Sequence, residues 1–171
     1  MEKIQGNMKS CLQPMPKILV SCRDANGKNN ALAVAYCCNC SYDPPMIMVG
    51  IVPSRSSYKI IKETDVCSSD LTGVFVVNIV TKEQKEMFDY LGSHSGRDED
   101  KFSKLNIKIN EGIKVNAPLL ADCPVNIECK VENSIVTGSH EMFAGKIEYV
   151  HAYREIIKDN GDIDFSKIEL L

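Results

Sequence analysis

The chain has 171 residues, which fits one domain with a continuous core and no need for stabilising disulfides or metals. Its formal net charge of −3 provides no basic field for a polyanion, so nucleic acid is not an expected partner. The longest nearly unbroken apolar stretch, Met46 to Val52, is too short to span a bilayer, and the N-terminus lacks a signal-type apolar region. We therefore expect a single cytoplasmic domain over residues 1–171, with no membrane partner.

Eight cysteines are present, and three of them, Cys37, Cys38 and Cys40, lie in one short segment. Without a secretory signal, reduced thiols are expected. A zinc site would need a second ligand pair at suitable spacing, which the sequence lacks, so we predict no metal site. Cysteine would then serve as a small apolar residue in strands.

The first two predicted strands form a hairpin. Lys17 to Cys22 is β-rich, and Asn26-Gly27 supplies the positive φ angles of a tight turn. The returning strand has a face of large side chains and a face of small ones. The large ones are Leu32, Val34 and Tyr36, and the small ones are Ala31, Ala33, Ala35 and Cys37. The small face would admit a flat ligand, although tight packing against another sheet explains it equally well.

Met46 to Val52 is predicted to be a buried strand that ends at Pro53. A short helix should follow, capped by Ser54, with Tyr58 and Ile61 on its apolar face, and end near Glu63.

Residues 65–71 interrupt an otherwise natural succession of helix, glycine and strand. This heptapeptide matches the translation of a common sequencing-adapter end, so we hypothesise an assembly artefact. An ordinary surface insertion is the alternative. In either case Cys67 should carry no function, and resequencing across the junction distinguishes the two.

The middle of the chain is predicted to contain a strand at Val74 to Val80 and a helix at Lys82 to Leu91. A polar loop, Gly92 to Asp100, then leads into a helical turn at Lys101 to Leu105.

Near the C-terminus, residues 125–137 are predicted to form one long strand with a bulge at Glu132-Asn133. Its antiparallel successor runs from Glu141 to Tyr153, and a turn follows at residues 159–162. Many strands interrupted by short helices indicate a β-barrel with peripheral helices.

A site for flavin mononucleotide (FMN) would need a phosphate-binding group, backbone donors along the ring and positive charge near the reduced ring, and the sequence has a candidate for each. Arg55, Ser56 and Ser57 open a predicted helix, where backbone N–H groups, a guanidinium and hydroxyls converge on a phosphate. The plain alternative is that these residues only cap and solvate the helix. The segment Ala35, Tyr36, Cys37, Cys38 and Asn39 would place backbone amides along the ring, with Asn30 near the ribityl chain.

A second set of candidates lies in polar segments. The loop carrying Ser95, Gly96, Arg97 and Lys101 would bring positive charge near the reduced flavin, or would simply be a solvated loop. His140, at the start of a strand, is either a surface residue or part of the flavin pocket.

Six segments, in this order, resemble the flavin reductase-like family, specifically its flavoredoxin-type branch, over roughly residues 17–153. They are NALAVAYCCNCSYDPP (30–45), PSRSSYKIIKET (53–64), GVFVVN (73–78), SGRDEDKF (95–102), CPVNIECKV (123–131) and GSHEMF (138–143).

The resemblance implies a mainly β fold, a six-stranded Greek-key split β-barrel with short peripheral helices. It further implies a homodimer with one FMN per subunit near the interface. Arg55, Ser56, Ser57 and Tyr58 match the family's phosphate-side segment, and residues 36–39 match its ring-side segment. Ser95, Gly96, Arg97, Lys101 and His140 match positions near the flavin. The chain departs from the family at Tyr36, where tryptophan is frequent, and at Ala33, Cys37 and Asn39, where hydroxyl residues are frequent.

The leading hypothesis is an FMN-dependent oxidoreductase, in which NAD(P)H or a protein donor reduces the flavin and the flavin passes the electrons on. No side chain is nominated as catalytic. The sequence contains no nucleotide-binding glycine fingerprint, so a nicotinamide would dock transiently over the flavin. The alternatives are an electron carrier without NAD(P)H activity and a flavin-free binding module.

Overall fold

The computed structural model describes residues 1–62 and 73–171. The hypothesis of an insertion at residues 65–71, with Cys67, falls outside this described part. The strands are β1 (Ile18–Arg23), β2 (Asn29–Val34), β3 (Cys37–Ser41), β4 (Met46–Ile51), β5 (Val74–Ile79), β6 (Ile109–Glu111), β7 (Pro118–Leu120), β8 (Val125–Thr137) and β9 (His140–Ala152). The helices are α1 (Ser56–Ile61), α2 (Lys85–Ser93) and α3 (Lys101–Leu105), with 3₁₀ turns at Lys82–Gln84, Arg154–Ile156 and Phe165–Lys167.

The hairpin of β1 and β2 is confirmed, but its turn differs from the prediction. Gly27 has a φ of +81°, whereas Asn26 is not among the residues with positive φ. The side chain of Asp24 instead accepts hydrogen bonds from the backbone N–H groups of Asn26 and Lys28, both at 2.9 Å. A carboxylate that holds the backbone in this way replaces the second left-handed residue of a tight Asn-Gly turn.

Seven strands form one antiparallel sheet in the order β2-β1-β5-β8-β9-β4-β3, and β6 and β7 form a separate ribbon. The two edge strands, β2 and β3, are joined by only two residues, Ala35 and Tyr36. The sheet must therefore curl until its edges approach each other, without closing. This open curl, together with short outer helices, confirms the predicted mainly β split barrel, although the sheet contains seven strands where six were expected.

The pairing of β1 with β5 and of β4 with β9 joins distant parts of the chain, as in a Greek key. The long hairpin of β8 and β9 shifts register between Val131 and Asn133, which confirms the predicted bulge. The extra residue bends the strand and increases its twist, so the hairpin follows the curl of the barrel.

Two of the three apolar clusters in the described residues position the site. The barrel interior contains Phe75 and Phe143, both fully buried. The second cluster lies between the outer face of the sheet and the helices, and it includes Leu91 of α2 and Phe102 of α3.

The small residues of β2 belong to the second cluster, because Ala31 and Ala33 pack with Leu91. A Cβ atom on Gly92 of α2 would lie 2.9 Å from the Cβ of Ala33. Of the two explanations for the small face, tight packing therefore applies at Ala31 and Ala33, with a helix and not a second sheet as the partner.

None of the helices within residues 1–62 and 73–171 is long and apolar enough to cross a membrane.

Candidate functional site

Helix α1 follows β4 and is held from two sides. Ile61 is buried in the barrel core, and the Tyr58 ring packs edge-on against Phe143 with centroids 5.8 Å apart. The backbone of Arg55, and not Ser54, occupies the N-cap position, and no side chain caps the helix. Because α1 has only six residues, its dipole contributes little to anion binding. Positive charge for an anion near α1 therefore comes from side chains and not from the helix terminus that the sequence predicted.

Most of the predicted phosphate-side residues surround one cavity of about 330 Å³, called here the first cavity. Six predicted residues line it: Arg55, Ser56, Ser57, Ser95, Arg97 and Lys101. Residues that sequence reasoning did not assign to the site also line it: Leu32, Ser54, Leu91, His94 and Asp98. The predicted α1 start and the predicted polar loop thus meet across one space.

Positive charge in the first cavity comes from arginine side chains and a buried lysine. The Arg97 guanidinium donates to the Ser54 carbonyl at 2.8 Å, which ties the loop to the segment before α1. Arg55 is exposed and lies close enough to Lys101 to help lower that residue's pKa. Two guanidinium groups beside hydroxyls form a donor set suited to a phosphate.

Lys101 is 3% exposed, and its ammonium donates to the carbonyls of Ala31, Leu91 and His94. Its three hydrogens therefore have protein acceptors, so it provides positive charge to the cavity and not a direct hydrogen bond. Burial lowers the pKa of Lys101 to about 8, and the neighbouring charge of Arg55 adds to the decrease.

Asn30 lies beneath the serines and is 5% exposed. Its Nδ2 donates to the hydroxyl oxygens of Ser56 and Ser57, both at 2.8 Å. Both serines accept from Asn30, and the partly exposed Ser56 keeps its own O–H hydrogen for another acceptor, such as a phosphate oxygen, whereas Ser57 is fully buried beside Cys22. Among the described residues, Oδ1 of Asn30 is buried without a hydrogen-bond partner.

A second cavity, of about 290 Å³, adjoins the first and shares Ser56 and Arg97 with it. Its other lining residues are Asp24, Lys28, Asn30, Lys59, Ile60 and Gly96. Lys28 donates to the Gly96 carbonyl at 2.8 Å. Gly96 is packed against Asn30, because an added Cβ atom would lie 2.5 Å from Oδ1.

The ring-side residues lie apart from both cavities. The rings of Tyr36 and His140 meet edge-on with centroids 4.9 Å apart, and the Tyr36 hydroxyl lies 3.1 Å from the Ser10 hydroxyl. Ala35, Cys38 and Asn39 are exposed. Cys37 packs partly against the barrel core, and burial raises the pKa of its thiol to about 12.

This segment is also not the single strand that was expected, because the chain breaks between β2 and β3 at Ala35 and Tyr36. The break lets the chain pass from one edge of the curled sheet to the other. The Tyr36 carbonyl then accepts from the N–H of Gly50 in β4 at 2.8 Å. Leu32 of the first cavity precedes Tyr36 by four residues, which extended chain spans in about 13 Å. The Cα atoms of Leu32 and Tyr36 are therefore at most about 13 Å apart.

Tyr58, predicted beside the phosphate, points its hydroxyl elsewhere and donates to the carboxylate of Glu141. Glu141 also accepts from Lys62 at 2.8 Å and Ser134 at 2.6 Å. Burial by itself would raise the pKa of Glu141, but these hydrogen bonds outweigh it and lower the pKa. The network joins α1 to the β8–β9 hairpin, so Tyr58 positions the helix.

Within residues 1–62 and 73–171, no three or more His, Cys, Asp or Glu side chains are grouped to hold a metal ion.

A split barrel with a basic, hydroxyl-lined cavity at the end of β4 is compatible with a phosphate-bearing cofactor. Residues 10–161 match the family described as flavin reductase like domain, and the chain belongs to this family. It is therefore a flavin-related redox protein.

Two solved flavoredoxins share the fold over nearly the whole chain. The flavoredoxin of Desulfovibrio vulgaris (Miyazaki F) is 30% identical with a TM-score of 0.85, covering 98% of this chain and 85% of that one. The flavoredoxin of Methanosarcina acetivorans is 27% identical with a TM-score of 0.86, covering 100% of this chain and 86% of that one.

A flavin reductase of Pseudomonas putida is 26% identical over 136 residues, which cover 80% of this chain and 72% of that protein. The chain spans 76%, 52% and 70% of the lengths of three uncharacterized relatives, from Archaeoglobus fulgidus, Aeropyrum pernix and Pyrococcus abyssi.

Proposed function

We propose that the chain binds FMN non-covalently and acts as an FMN-dependent oxidoreductase. The observation that carries this proposal is the first cavity, where Arg55 and Arg97 lie beside the hydroxyls of Ser56 and Ser57. Asn30 donates to both hydroxyls, which leaves the hydrogen of the partly exposed Ser56 hydroxyl free to be donated to an anion. The residues present therefore fit the phosphate of FMN.

In this proposal the flavin supplies the redox chemistry, and the protein binds and orients it. Arg55 and Arg97 hold the phosphate by charge-assisted hydrogen bonds, and Lys101 adds positive charge behind them. On the ring side, β3 pairs with β4 along one edge, so its other edge offers backbone groups near Tyr36. The edge-on contact of Tyr36 with His140 fixes an aromatic wall there.

NADH or NADPH is the proposed electron donor, docking transiently over the exposed flavin. A relative named as a flavin reductase supports this assignment. The second candidate is an electron carrier that receives electrons from a redox protein, favoured by the likeness to two flavoredoxins. Anaerobic stopped-flow mixing separates the two. Bleaching of the flavin band by either nucleotide supports the reductase, and the absence of bleaching with both NADH and NADPH supports the carrier.

The absorption spectrum of the purified protein and an FMN titration test the cofactor itself. We expect a flavin spectrum, or uptake of FMN by protein purified without it. Colourless protein that takes up no FMN would contradict the proposal and favour a flavin-free binding module.

The phosphate grip is tested by Arg55→Ala. We expect FMN affinity to fall by about 1.5–3 kcal/mol, or roughly 10- to 150-fold, because a charge-assisted hydrogen bond is lost. Riboflavin affinity should not change, since riboflavin has no phosphate. The matched control is Arg154→Ala, which removes an exposed arginine from a distant 3₁₀ turn that lines neither cavity. Unchanged FMN affinity in Arg55→Ala would place the phosphate elsewhere.

We further propose a homodimer. Ile135 and Val136, near the end of the β8–β9 hairpin, are 57% and 68% exposed, and a second subunit would cover them. Light scattering on an eluting column peak measures the mass directly. A monomer at micromolar concentration would contradict this part of the proposal.

A further inference from the structure

An acidic cavity lies apart from the proposed flavin site, where the start of α2 faces the end of α3. Its volume is about 500 Å³, and it shares no lining residue with the first or second cavity. Among the described residues that line it, the charged groups are three carboxylates, Glu83, Glu86 and Asp122, without a lysine, arginine or histidine. None of the ion pairs within residues 1–62 and 73–171 includes these carboxylates. The cavity therefore attracts a cation.

The lysines closest to this cavity are engaged elsewhere. An adjoining cavity of about 350 Å³ is lined by Lys82 and Lys167. Lys82 pairs with the carboxylate of Glu169, and Lys167 donates to the backbone carbonyl of Glu155 at 2.8 Å. Neither lysine lines the acidic cavity itself, so its negative charge is available to a ligand.

Tyr153 lines the acidic cavity and reflects its negative potential. Burial raises the pKa of the Tyr153 hydroxyl, and nearby acidic groups, among them Asp122, Glu155 and Glu83, raise it further. A negative potential raises the pKa of a hydroxyl because it opposes the second negative charge. The same potential stabilises a bound cation.

A buried amide donor faces the same space. Gln84 lines the acidic cavity and is 8% exposed. Its Oε1 accepts from the backbone N–H and the hydroxyl of Thr81, at 2.9 and 2.8 Å, which fixes the orientation of the amide. Within residues 1–62 and 73–171, Nε2 of Gln84 has no acceptor, and it is not sealed off, because Oδ1 of Asn30 is the fully buried side-chain atom without a partner there. The cavity therefore offers an N–H donor to a carbonyl oxygen of a ligand.

The remaining wall of the acidic cavity is apolar. It contains Met87, Leu105 and Ile107, and Met87 and Ile107 pack against the apolar cluster behind α2. Such a wall suits the aliphatic stem of a long cationic side chain, which buries its methylene groups while the charged head stays near the carboxylates.

A cation, an aliphatic stem and a carbonyl occur together in an arginine residue of a peptide. A guanidinium has five N–H donors in a plane and is more weakly hydrated than an ammonium, which suits a site with three carboxylates. We propose that the acidic cavity binds an arginine-bearing segment of a partner protein. Its guanidinium lies among Glu83, Glu86 and Asp122, and a backbone carbonyl accepts from Nε2 of Gln84. The site lies outside both flavin cavities, so the inference goes beyond the proposed function and does not depend on it.

Nuclear magnetic resonance of the ¹⁵N-labelled full-length protein tests the inference with three model compounds. Acetyl-arginine methylamide has the guanidinium and the peptide carbonyls. Acetyl-citrulline methylamide keeps the shape without the charge, and butylguanidinium keeps the charge without the carbonyls. We expect the arginine compound to bind with a millimolar dissociation constant, and each of the other two to bind about threefold more weakly or worse.

The side-chain amide of Gln84 gives a direct readout. Its signal is identified by its loss in Gln84→Glu, where the glutamate keeps an acceptor for the backbone N–H of Thr81. We expect the arginine compound to shift this signal more than butylguanidinium does. Equal binding of the arginine and citrulline compounds would overturn the inference. Equal binding of the arginine compound and butylguanidinium would assign the cavity to a small organic cation and overturn the assignment to a peptide.

Glu86→Gln removes one carboxylate that lines the acidic cavity but neither flavin cavity. We expect it to weaken the arginine compound about two- to fourfold at low salt, and we expect the difference to shrink at high salt, since Glu86 is exposed. The matched control is Glu132→Gln, an exposed glutamate of β8 that lines none of these cavities. The unfolding temperature of each variant shows that the fold is retained.

Equal binding of the arginine compound by Glu86→Gln and the wild type at low salt would overturn the inference. FMN uptake is recorded on the same samples and separates the two proposals. Protein that takes up no FMN but binds the arginine compound refutes only the proposed function, and protein that binds FMN but not the arginine compound refutes only this inference.

Discussion

Gly96→Ala tests the contact that joins the two cavities. An alanine Cβ at this position would lie 2.5 Å from Oδ1 and 2.9 Å from Cγ of Asn30, whereas ordinary contacts begin at 3.4 Å. The backbone of Gly96 is not in the left-handed region, so the alanine backbone itself is acceptable. We expect the amide of Asn30 to move, and its hydrogen bonds to Ser56 and Ser57 oppose that movement.

The magnitude follows from those two bonds. Both are 2.8 Å long, so a displacement of the amide by most of an ångström breaks at least one of them in a buried site. Losing one costs about 1–3 kcal/mol in the free energy of unfolding, which lowers the midpoint of thermal unfolding by roughly 2–10 °C in a chain of this size. FMN affinity should fall about tenfold, because the serine hydroxyls lose the partner that orients them.

Calorimetry and an FMN fluorescence titration measure the two effects. Gly6→Ala is the control, since a Cβ there meets nothing within 4 Å. If Gly96→Ala matches Gly6→Ala in both unfolding temperature and FMN affinity, then Asn30 does not orient the serines, and the account of the first cavity is wrong.

Two further predictions concern pH. Burial lowers the pKa of Lys101 to about 8, so its positive charge is present below that pH and lost above it; FMN affinity should fall about fivefold from pH 7 to 9, while riboflavin affinity, measured in parallel, should not. Glu128 is fully buried; burial raises its pKa, but hydrogen bonds from His151 and from the backbone N–H groups of residues 113–115 outweigh this and lower it. A lowered carboxyl pKa stabilises the fold above the usual value of 4.5, and this stabilisation is lost as pH falls through the folded-state pKa. Glu128→Gln should therefore lower the free energy of unfolding by about 3 kcal/mol at pH 7 and make it less dependent on pH, as measured by urea unfolding at pH 7 and pH 4. A free energy of unfolding that falls as steeply between pH 7 and pH 4 as in the wild type would contradict this.

Much of the fold follows from local patterns in the sequence. Alternation of side chains predicts the strands, and residues 125–137 show a single long strand with its bulge at the expected place. The break between β2 and β3 was not predicted, because the alternation continues through Ala35 and Tyr36. That break depends on the curl of the sheet, which is a property of all seven strands and not of the residues at the break.

Only part of the candidate site could be predicted, because local sequence patterns do not show which segments meet in the fold. The α1 start and the polar loop have a recognisable donor composition, and the structure brings them together in the first cavity. Lys28 and Lys59 carry no local signal, since each is an ordinary exposed lysine until the hairpin and α1 face each other. Lys101 shows the opposite case, because a lysine in a polar loop is expected to be solvated but here is buried against three carbonyls.

The phosphate side and the ring side of the proposed flavin site differ in how firmly their side chains are held in place. The phosphate side rests on buried groups, Ser57, Asn30 and Lys101, whose positions are set by hydrogen bonds between separate elements. The ring side has Tyr36 41% exposed, with a hydroxyl contact to Ser10 of the N-terminal segment. A preformed phosphate site retains its affinity for the phosphate when the ring side is open. Electron transfer to a chosen partner depends instead on which residues cover the ring. The difference between FMN and riboflavin affinities therefore measures the first half, and the effect of dimer formation on riboflavin affinity measures the second.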